Sequence, residues 1–307
     1  MADSDTPSRI TVDAGPVRLS ALDYGNPHLP TMVVLHGLAD LAWSMDSVAR
    51  AFDDRFHVIS FDLRGHGESD HPGAYSLSHF VADLRNALAT QVHDQPVIVA
   101  HSLGGHVAAL YAGLYPSVPR ALVLVEGAGP PAQLNVDSPE ARADLVRAHL
   151  DVLGAPLAHK PLADIDAAVA RLAAAHPRLH PERARFLAEV GTKPGPDGGL
   201  VWKFDPRTRD WMASIDHRFT EECWRATVCP VLAIGGADSW DTWWSARVPP
   251  AAQVRPRIRM APAEWSAKLA AFPDIEEVEL ADAGHMVQFD QPERLNEVIA
   301  DFLDRRL

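Results

Sequence analysis

Short runs of consecutive apolar residues recur along the chain, and each stops at a small or polar residue. Thr31-Met-Val-Val-Leu35 closes on His36-Gly37, and His57-Val-Ile-Ser-Phe61 closes on Asp62. Val97-Ile-Val-Ala100 leads into His101-Ser102, Arg120–Val125 into Glu126-Gly127, and Pro230–Ile234 into Gly235-Gly236. Runs that are apolar throughout, rather than alternating, predict strands covered on both faces, as in a parallel sheet. Between them lie patterns at helical spacing. These are Trp43–Phe52, the stripe Leu77, Phe80, Val81, Leu84 and Leu88 within 76–91, and Val107–Tyr111. Residues 9–24 alternate around the turn Asp13-Ala-Gly-Pro16 and predict two short strands. Ile275–Leu280 predicts a final strand. Asp290-Gln-Pro-Glu293 reads as a capping box that opens a last helix with Leu295, Val298, Ile299, Phe302 and Leu303 as its apolar stripe. Strands alternating with helices imply a parallel sheet with helices on both faces.

The alternation lapses from Pro130 to about residue 227. Helical patterns occupy 138–153, Pro161–Ala175 and Pro181–Val190, with Ser138-Pro139 and His180-Pro181 as helix starts. Gly191–Gly199 reads as a loop. The chain therefore divides into an α/β core (9–129 and 228–307), a helical cap or lid inserted at 130–227, and a disordered tail at 1–8.

A chain of 307 residues can hold one large domain with such an insertion, and 47% apolar with 22% charged residues is ordinary for a globular protein. The net charge of −13 argues against nucleic acid as a partner. The polar N-terminus lacks the basic and apolar regions of a secretory signal, and no apolar run approaches a membrane span. The expectation is a cytoplasmic protein with no membrane partner. Cys223 and Cys229 form neither a disulfide framework nor a zinc site and read as free thiols.

The chemistry lies at the strand ends. In Pro96-Val-Ile-Val-Ala-His-Ser102-Leu-Gly-Gly-His106, strand gives way to helix across a sharp turn with Ser102 at its apex. Such a turn strains its central residue and needs small neighbours. Ser102 is then either a nucleophile lifted over the sheet or a serine that caps the helix. His36, Asp62, Glu126, Asp238 and His285 also sit at strand ends, where open α/β sheets bind ligands. A serine nucleophile needs a base and an orienting carboxylate, and the order serine, acid, histidine is present. Asp62, Arg64 and Glu68 read as groups that hold a loop together, and His101 and His106 as structural hydrogen bonders.

From about residue 10 to 307 the chain resembles the α/β-hydrolase superfamily. The resemblance rests on His36-Gly37, on Asp62-Leu-Arg-Gly-His-Gly-Glu-Ser69, on Ala100-His-Ser-Leu-Gly104, and on Gly284-His285 followed by Gln291-Pro292-Glu293. Ala100 stands where glycine is commonest. The resemblance implies a mostly parallel eight-stranded sheet, with Ser102 as nucleophile, His285 as base, and the backbone N–H groups of Leu38 and Leu103 as oxyanion hole. It leaves two candidates for the acid. Asp238 stands at the family's commonest position and is favoured. Glu126 stands in Leu124-Val-Glu-Gly-Ala-Gly-Pro-Pro131, which resembles bacterial relatives of serine-hydrolase-like proteins; in that group a Ser-Trp pair, here Ser239-Trp240, accompanies loss of the later acid. His36 is expected to brace the oxyanion loop at the substrate pocket, with Trp240, Trp243 and Trp244 lining an apolar subsite. The implied function is a serine hydrolase acting on a small-molecule ester, thioester or lactone, without cofactor or metal, as a monomer or homodimer. An acyltransferase or carbon–carbon bond hydrolase on the same residues, or an inactive ligand-binding protein, are the alternatives.

Overall fold

A computed structural model describes residues 6–127, 158–196, 198–214, 217–239 and 262–307, together with 140, 143, 144, 147, 150 and 151. The chain enters through an antiparallel pair, β1 (Ser8–Asp13) and β2 (Arg18–Asp23), followed by β3 (Thr31–Leu35). A 3-10 turn, Ala42–Met45, leads into α1 (Asp46–Phe52), so the helical pattern expected from Trp43 is split in two. Then come β4 (His57–Phe61), α2 (Leu77–Gln91), β5 (Val97–His101), α3 (Leu103–Leu114) and β6 (Ala121–Val125). The next described helices are α4 (Ile165–Ala175) and α5 (Pro181–Gly191), the latter with proline in its first turn as expected. A hairpin of β7 (Thr192–Pro194) and β8 (Leu200–Trp202) follows, then α6 (His217–Trp224), β9 (Val231–Gly236), α7 (Pro262–Leu269), β10 (Ile275–Leu280), α8 (Val287–Asp290) and α9 (Pro292–Arg306).

Eight strands form one sheet in the order β1-β2-β4-β3-β5-β6-β9-β10. Only β2 runs against its neighbours. The continuous apolar runs are explained by two covered faces. Val33, Leu35, Ile98, Ala100, Leu122 and Leu124 face the core on the side of α2 and α3. Their neighbours Met32, Val34, Val97, Val99, Val123 and Val125 face the core on the side of α1 and α9. Successive side chains of a strand point to opposite faces, so a strand with helices on both sides is apolar at nearly every position; Ser60 of β4 is buried with its hydroxyl bonded to Ala42 O.

Three local expectations are corrected. The Gly191–Gly199 segment is part of a hairpin, not a loop: Thr192–Pro194 pairs with Leu200–Trp202 across the turn. Three-residue strands are too short to show a period, and the prolines and glycines of the turn dominate the pattern. The capping box at Asp290 does not form. Gln291 precedes α9, no side chain caps it, and Asp290 Oδ2 instead accepts from Gly284 N at 2.7 Å. Finally, α6 packs with the core although it falls in the stretch expected to be cap. Trp224 is fully buried and stacks on Phe272, and α3 passes so close that a Cβ on Gly113 would lie 2.2 Å from the Cys223 carbonyl oxygen.

The helical pattern at 138–153 lies mostly outside the described residues. No helix among the described residues is long and apolar enough to cross a membrane.

Candidate active site

The turn after β5 is built by exclusion of bulk. Ser102 adopts φ 48° and ψ −114°, a left-handed conformation that costs roughly 1–3 kcal/mol for a residue with a Cβ. What holds it there is the approach of the backbone on both sides. A Cβ on Gly104 would lie 2.7 Å from the His36 carbonyl oxygen, and one on Gly105 would lie 2.5 Å from Gly127 Cα. Hydrogen bonds from Ser102 N to Val125 O (3.0 Å) and from Gly104 N to His36 O (3.1 Å) pin the turn to β6 and to the end of β3. No side chain caps α3, so the helix-cap reading of Ser102 fails and its hydroxyl is left for other work.

That hydroxyl meets His285. The imidazole sits in the loop after β10, with Nε2 3.0 Å from Ser102 Oγ and Nδ1 3.0 Å from Glu126 Oε2. A carboxylate only accepts, so an ionised Glu126 fixes the proton on Nδ1 and leaves Nε2 as the acceptor facing the serine. The loop carrying His285 is itself braced. Its carbonyl oxygen accepts from His101 Nε2 at 2.9 Å, and Asp290 holds Gly284 N. His101 is fully buried, and burial pushes its imidazole down to about 3, so it stays neutral and serves as a donor.

The acid facing His285 is Glu126, which corrects the expectation of Asp238. Glu126 follows β6 with φ 52°, which turns its side chain along the end of the sheet. Its two oxygens accept three hydrogen bonds: Gly236 N to Oε1 at 2.7 Å, and Ser239 Oγ (2.6 Å) and His285 Nδ1 to Oε2. Burial pushes the Glu126 carboxyl up to about 7, opposed by the bonds from Ser239 and Gly236 and by nearby His101. Asp238 points elsewhere. Its Oδ2 is 2.5 Å from Arg178 Nη2, in an ion pair whose side chains are 42% and 45% exposed. The adjacent Ser239, fully buried, is the residue of that turn that reaches the site. Its link to Glu126 was legible only as the Ser239-Trp240 pair.

The remaining candidates distribute as follows. Leu103 begins α3 beside Ser102, and Leu38 borders the cavity over the serine. Gly37 permits that approach, since a Cβ there would lie 2.8 Å from His101 Nδ1 and 3.2 Å from Ser102 Cβ. His36 braces the loop but does not line the pocket, which corrects part of the expectation. It is fully buried, its Nδ1 is 2.7 Å from Gly37 O, and its Nε2 accepts from Leu63 N at 3.0 Å. Asp62 organises its loop by accepting from Ala42 N and Arg9 Nη1, and Arg64 pairs with Asp83. His106 packs its ring on Trp211 rather than entering the site. Trp240, Trp243 and Trp244 lie outside the described residues.

The pocket that receives Ser102 and His285 is a cavity of about 190 Å³. Its far wall comes from Leu172 and Ala175 of α4, Leu187 of α5, and Trp202 and Phe204 of the hairpin, with Met286 and Phe289 beside the histidine. The hairpin residues were not anticipated. The alternation in Leu200-Val-Trp-Lys-Phe204 was the available signal, masked by the preceding turn. Among the described residues no three His, Cys, Asp or Glu side chains are grouped as metal ligands would be.

Residues 32–298 match the model of the alpha/beta hydrolase family. The chain is 26% identical over 295 residues to the 2-(acetamidomethylene)succinate hydrolase of Mesorhizobium japonicum, covering 95% of this chain and 94% of that protein. It is 25% identical over 297 residues to a serine hydrolase-like protein of Danio rerio, covering 91% and 83%. Among solved structures, a thioesterase domain from the curacin biosynthetic pathway shares the fold with a TM-score of 0.80 at 23% identity, covering 96% of this chain and 99% of that one.

Proposed function

The chain belongs to the alpha/beta hydrolase family, a family of hydrolytic enzymes, and on that footing we propose that it cleaves a carboxylic ester, thioester or lactone through an acyl-enzyme on Ser102. The observation that supports this reading is the unbroken relay from Ser102 Oγ to His285 Nε2 and from His285 Nδ1 to Glu126, with both contacts at 3.0 Å. Ser102 Oγ adds to the carbonyl carbon while its proton passes to Nε2. The tetrahedral oxyanion accepts from the N–H groups of Leu38 and Leu103, each such donor contributing roughly 2.7–4 kcal/mol in comparable sites. Collapse breaks the bond to the alcohol or thiol, which leaves with the proton from Nε2. Water then gives a proton to Nε2 and adds to the acyl carbon, and the second collapse frees the acid and returns the proton to Ser102. Glu126 acts in its ionised form, which stabilises the imidazolium. The elements α4 and α5 and the β7–β8 hairpin act as a lid that keeps bulk water from the acyl-enzyme.

A fluorophosphonate tests this reading directly. Ser102 Oγ attacks phosphorus and fluoride leaves, so intact-mass and peptide analysis are expected to find one adduct, on the peptide carrying Ser102. An unlabelled Ser102 in folded protein overturns it.

Ser239 acts through Glu126, and its removal gives a pH signature. Its hydroxyl stabilises the ionised carboxylate, so Ser239→Ala raises the Glu126 pKa further above about 7. Activity requires the ionised form and falls as pH drops through that value. The acid limb of the kcat/KM profile is therefore expected to move to higher pH in Ser239→Ala, by up to about one unit for one charge-assisted bond. An acid limb that stays in place counts against the role.

A further inference from the structure

The inner face of α4 is apolar with one exception. Ala168 is buried, and Leu172 and Ala175 line the cavity at the spacing of one helical face. Arg171, beside Leu172, also borders the cavity. The arginines around it are committed to carboxylates: Arg178 to Asp238 and Asp290, Arg183 to Asp46, and Arg185 to Asp166. Arg171 has no ion-pair partner among the described residues. On the hairpin side the cavity is bordered by Lys203, whose ammonium is 2.5 Å from Glu68. Among the described residues the one acidic side chain on the cavity wall is Asp40, whose carboxyl burial pushes up to about 7. Among the described residues the cavity over the reactive serine is thus bordered by two basic side chains and one acidic one, in a protein whose net charge is −13. A guanidinium on an exposed residue that borders an apolar cavity, with no ion-pair partner among the described residues, suits an anion brought in by the ligand.

We propose that the substrate carries a carboxylate remote from the scissile carbonyl, and that Arg171 pairs with it as a specificity-determining residue. The cavity, at about 190 Å³, takes a short substrate of this kind, its carbon chain against Leu172, Trp202 and Phe289 and its carboxylate at the guanidinium. The planar fork of arginine suits two-point recognition of a carboxylate, which an ammonium cannot offer. The inference rests on the acyl-enzyme reading above and narrows its substrate class.

Two matched pairs of esters test it, one with the charge on the acyl side and one with it on the alcohol side. Mono(4-nitrophenyl) adipate is compared with 4-nitrophenyl hexanoate, and 4-acetoxybenzoate with phenyl acetate. The wild type is expected to favour the carboxylated member of at least one pair by about tenfold or more in kcat/KM, carried mainly by KM. In Arg171→Gln that ratio is expected to fall to near one, and in Arg171→Lys to an intermediate value. Added salt lowers the wild-type preference and leaves the Arg171→Gln ratio flat. A ratio near one in the wild type for both pairs overturns the inference, as does a preference that survives in Arg171→Gln. Either result, obtained while the neutral esters are turned over by a fluorophosphonate-sensitive Ser102, leaves the hydrolase reading standing. Failure of all four esters together with an unlabelled Ser102 overturns both.

Discussion

Glu126→Gln is expected to lower kcat by about 10⁴-fold, the cost of holding a catalytic histidine in the wrong tautomer, while Asp238→Asn stays within about threefold. The hydrogen bonds around Glu126 give the reason. Three donors converge on its two oxygens: Gly236 N–H on Oε1, and Ser239 O–H and His285 Nδ1–H on Oε2. A glutamine has one oxygen to offer. Placed toward Gly236, it turns its NH₂ toward Nδ1, which then must accept, so the ring proton moves to Nε2 and His285 can no longer take the proton of Ser102. Placed toward His285, it sets an NH₂ against the Gly236 N–H with no acceptor between them. Asp238 has no such position. Its exposed pair with Arg178 ties the segment between α4 and α5 to the end of β9, a contact of the kind that contributes at most about 1 kcal/mol. Steady-state kinetics of both variants on one ester decide the matter, and equal losses in the two overturn the assignment of the acid.

The same substitution has a stability consequence of definite sign. Burial raises the Glu126 carboxyl from about 4.5 to about 7, so the folded protein binds that proton more tightly than the unfolded chain. Its favourable contribution is complete below pH about 4.5 and is lost as pH rises through about 7. Thermal denaturation is therefore expected to show the Tm of Glu126→Gln improving relative to wild type between pH 4.5 and pH 8, alongside its loss of activity.

Ser102→Ala is expected to be the more damaging change, with kcat reduced on the order of 10⁶-fold and no fluorophosphonate adduct. Among the described residues nothing else bonded to His285 can replace the hydroxyl. His101 is a neutral donor already engaged with the His285 carbonyl, and Glu126 is on the far side of the ring. What activity persists is then that of water acting in the oxyanion hole. The variant should fold, because alanine at φ 48° carries the same backbone strain as serine. Ser102→Gly separates strain from chemistry. It is expected to be as inactive as Ser102→Ala yet more stable by about 1 kcal/mol, since glycine adopts that conformation freely. Urea denaturation of the two variants measures the difference, and an alanine variant at least as stable as the glycine one counts against strain at the turn.

The sheet was legible because each strand carries its own signal. Two covered faces favour an apolar run, and β3 and β4 begin and end at the residues where that run does; the edge strand β10, with Glu276, Glu277 and Glu279, also keeps its expected bounds. The serine turn was legible for a similar reason: strand, small residue, serine, two glycines and helix are all within eleven residues. The pocket was less so. Leu172, Trp202, Phe289 and Arg171 come from three separate elements, and no local period distinguishes a residue facing a cavity from one facing a core. Trp202 and Phe204 reach the cavity only because a six-residue pairing closes the hairpin around a turn rich in glycine and proline.

The acid marks the boundary between the two kinds of information. Residue order placed Ser102, a carboxylate and His285 along the chain, and strand ends limited the carboxylate to Glu126 or Asp238. Those strands, β6 and β9, are hydrogen-bonded parallel neighbours with Val125 opposite Ile234, so both carboxylates follow the same end of the sheet. Composition and spacing could not choose between them. The choice was made by the left-handed backbone at Glu126, by Gly236 N–H and Ser239 meeting its oxygens from across the strand boundary, and by Arg178 holding Asp238 outward. Short-range sequence determines which residues are strand, turn and helix, because those preferences are settled within a few bonds. Which carboxylate faces the histidine, and which charges face the substrate, depends on partners 60 to 159 residues away, and only the folded chain brings those together.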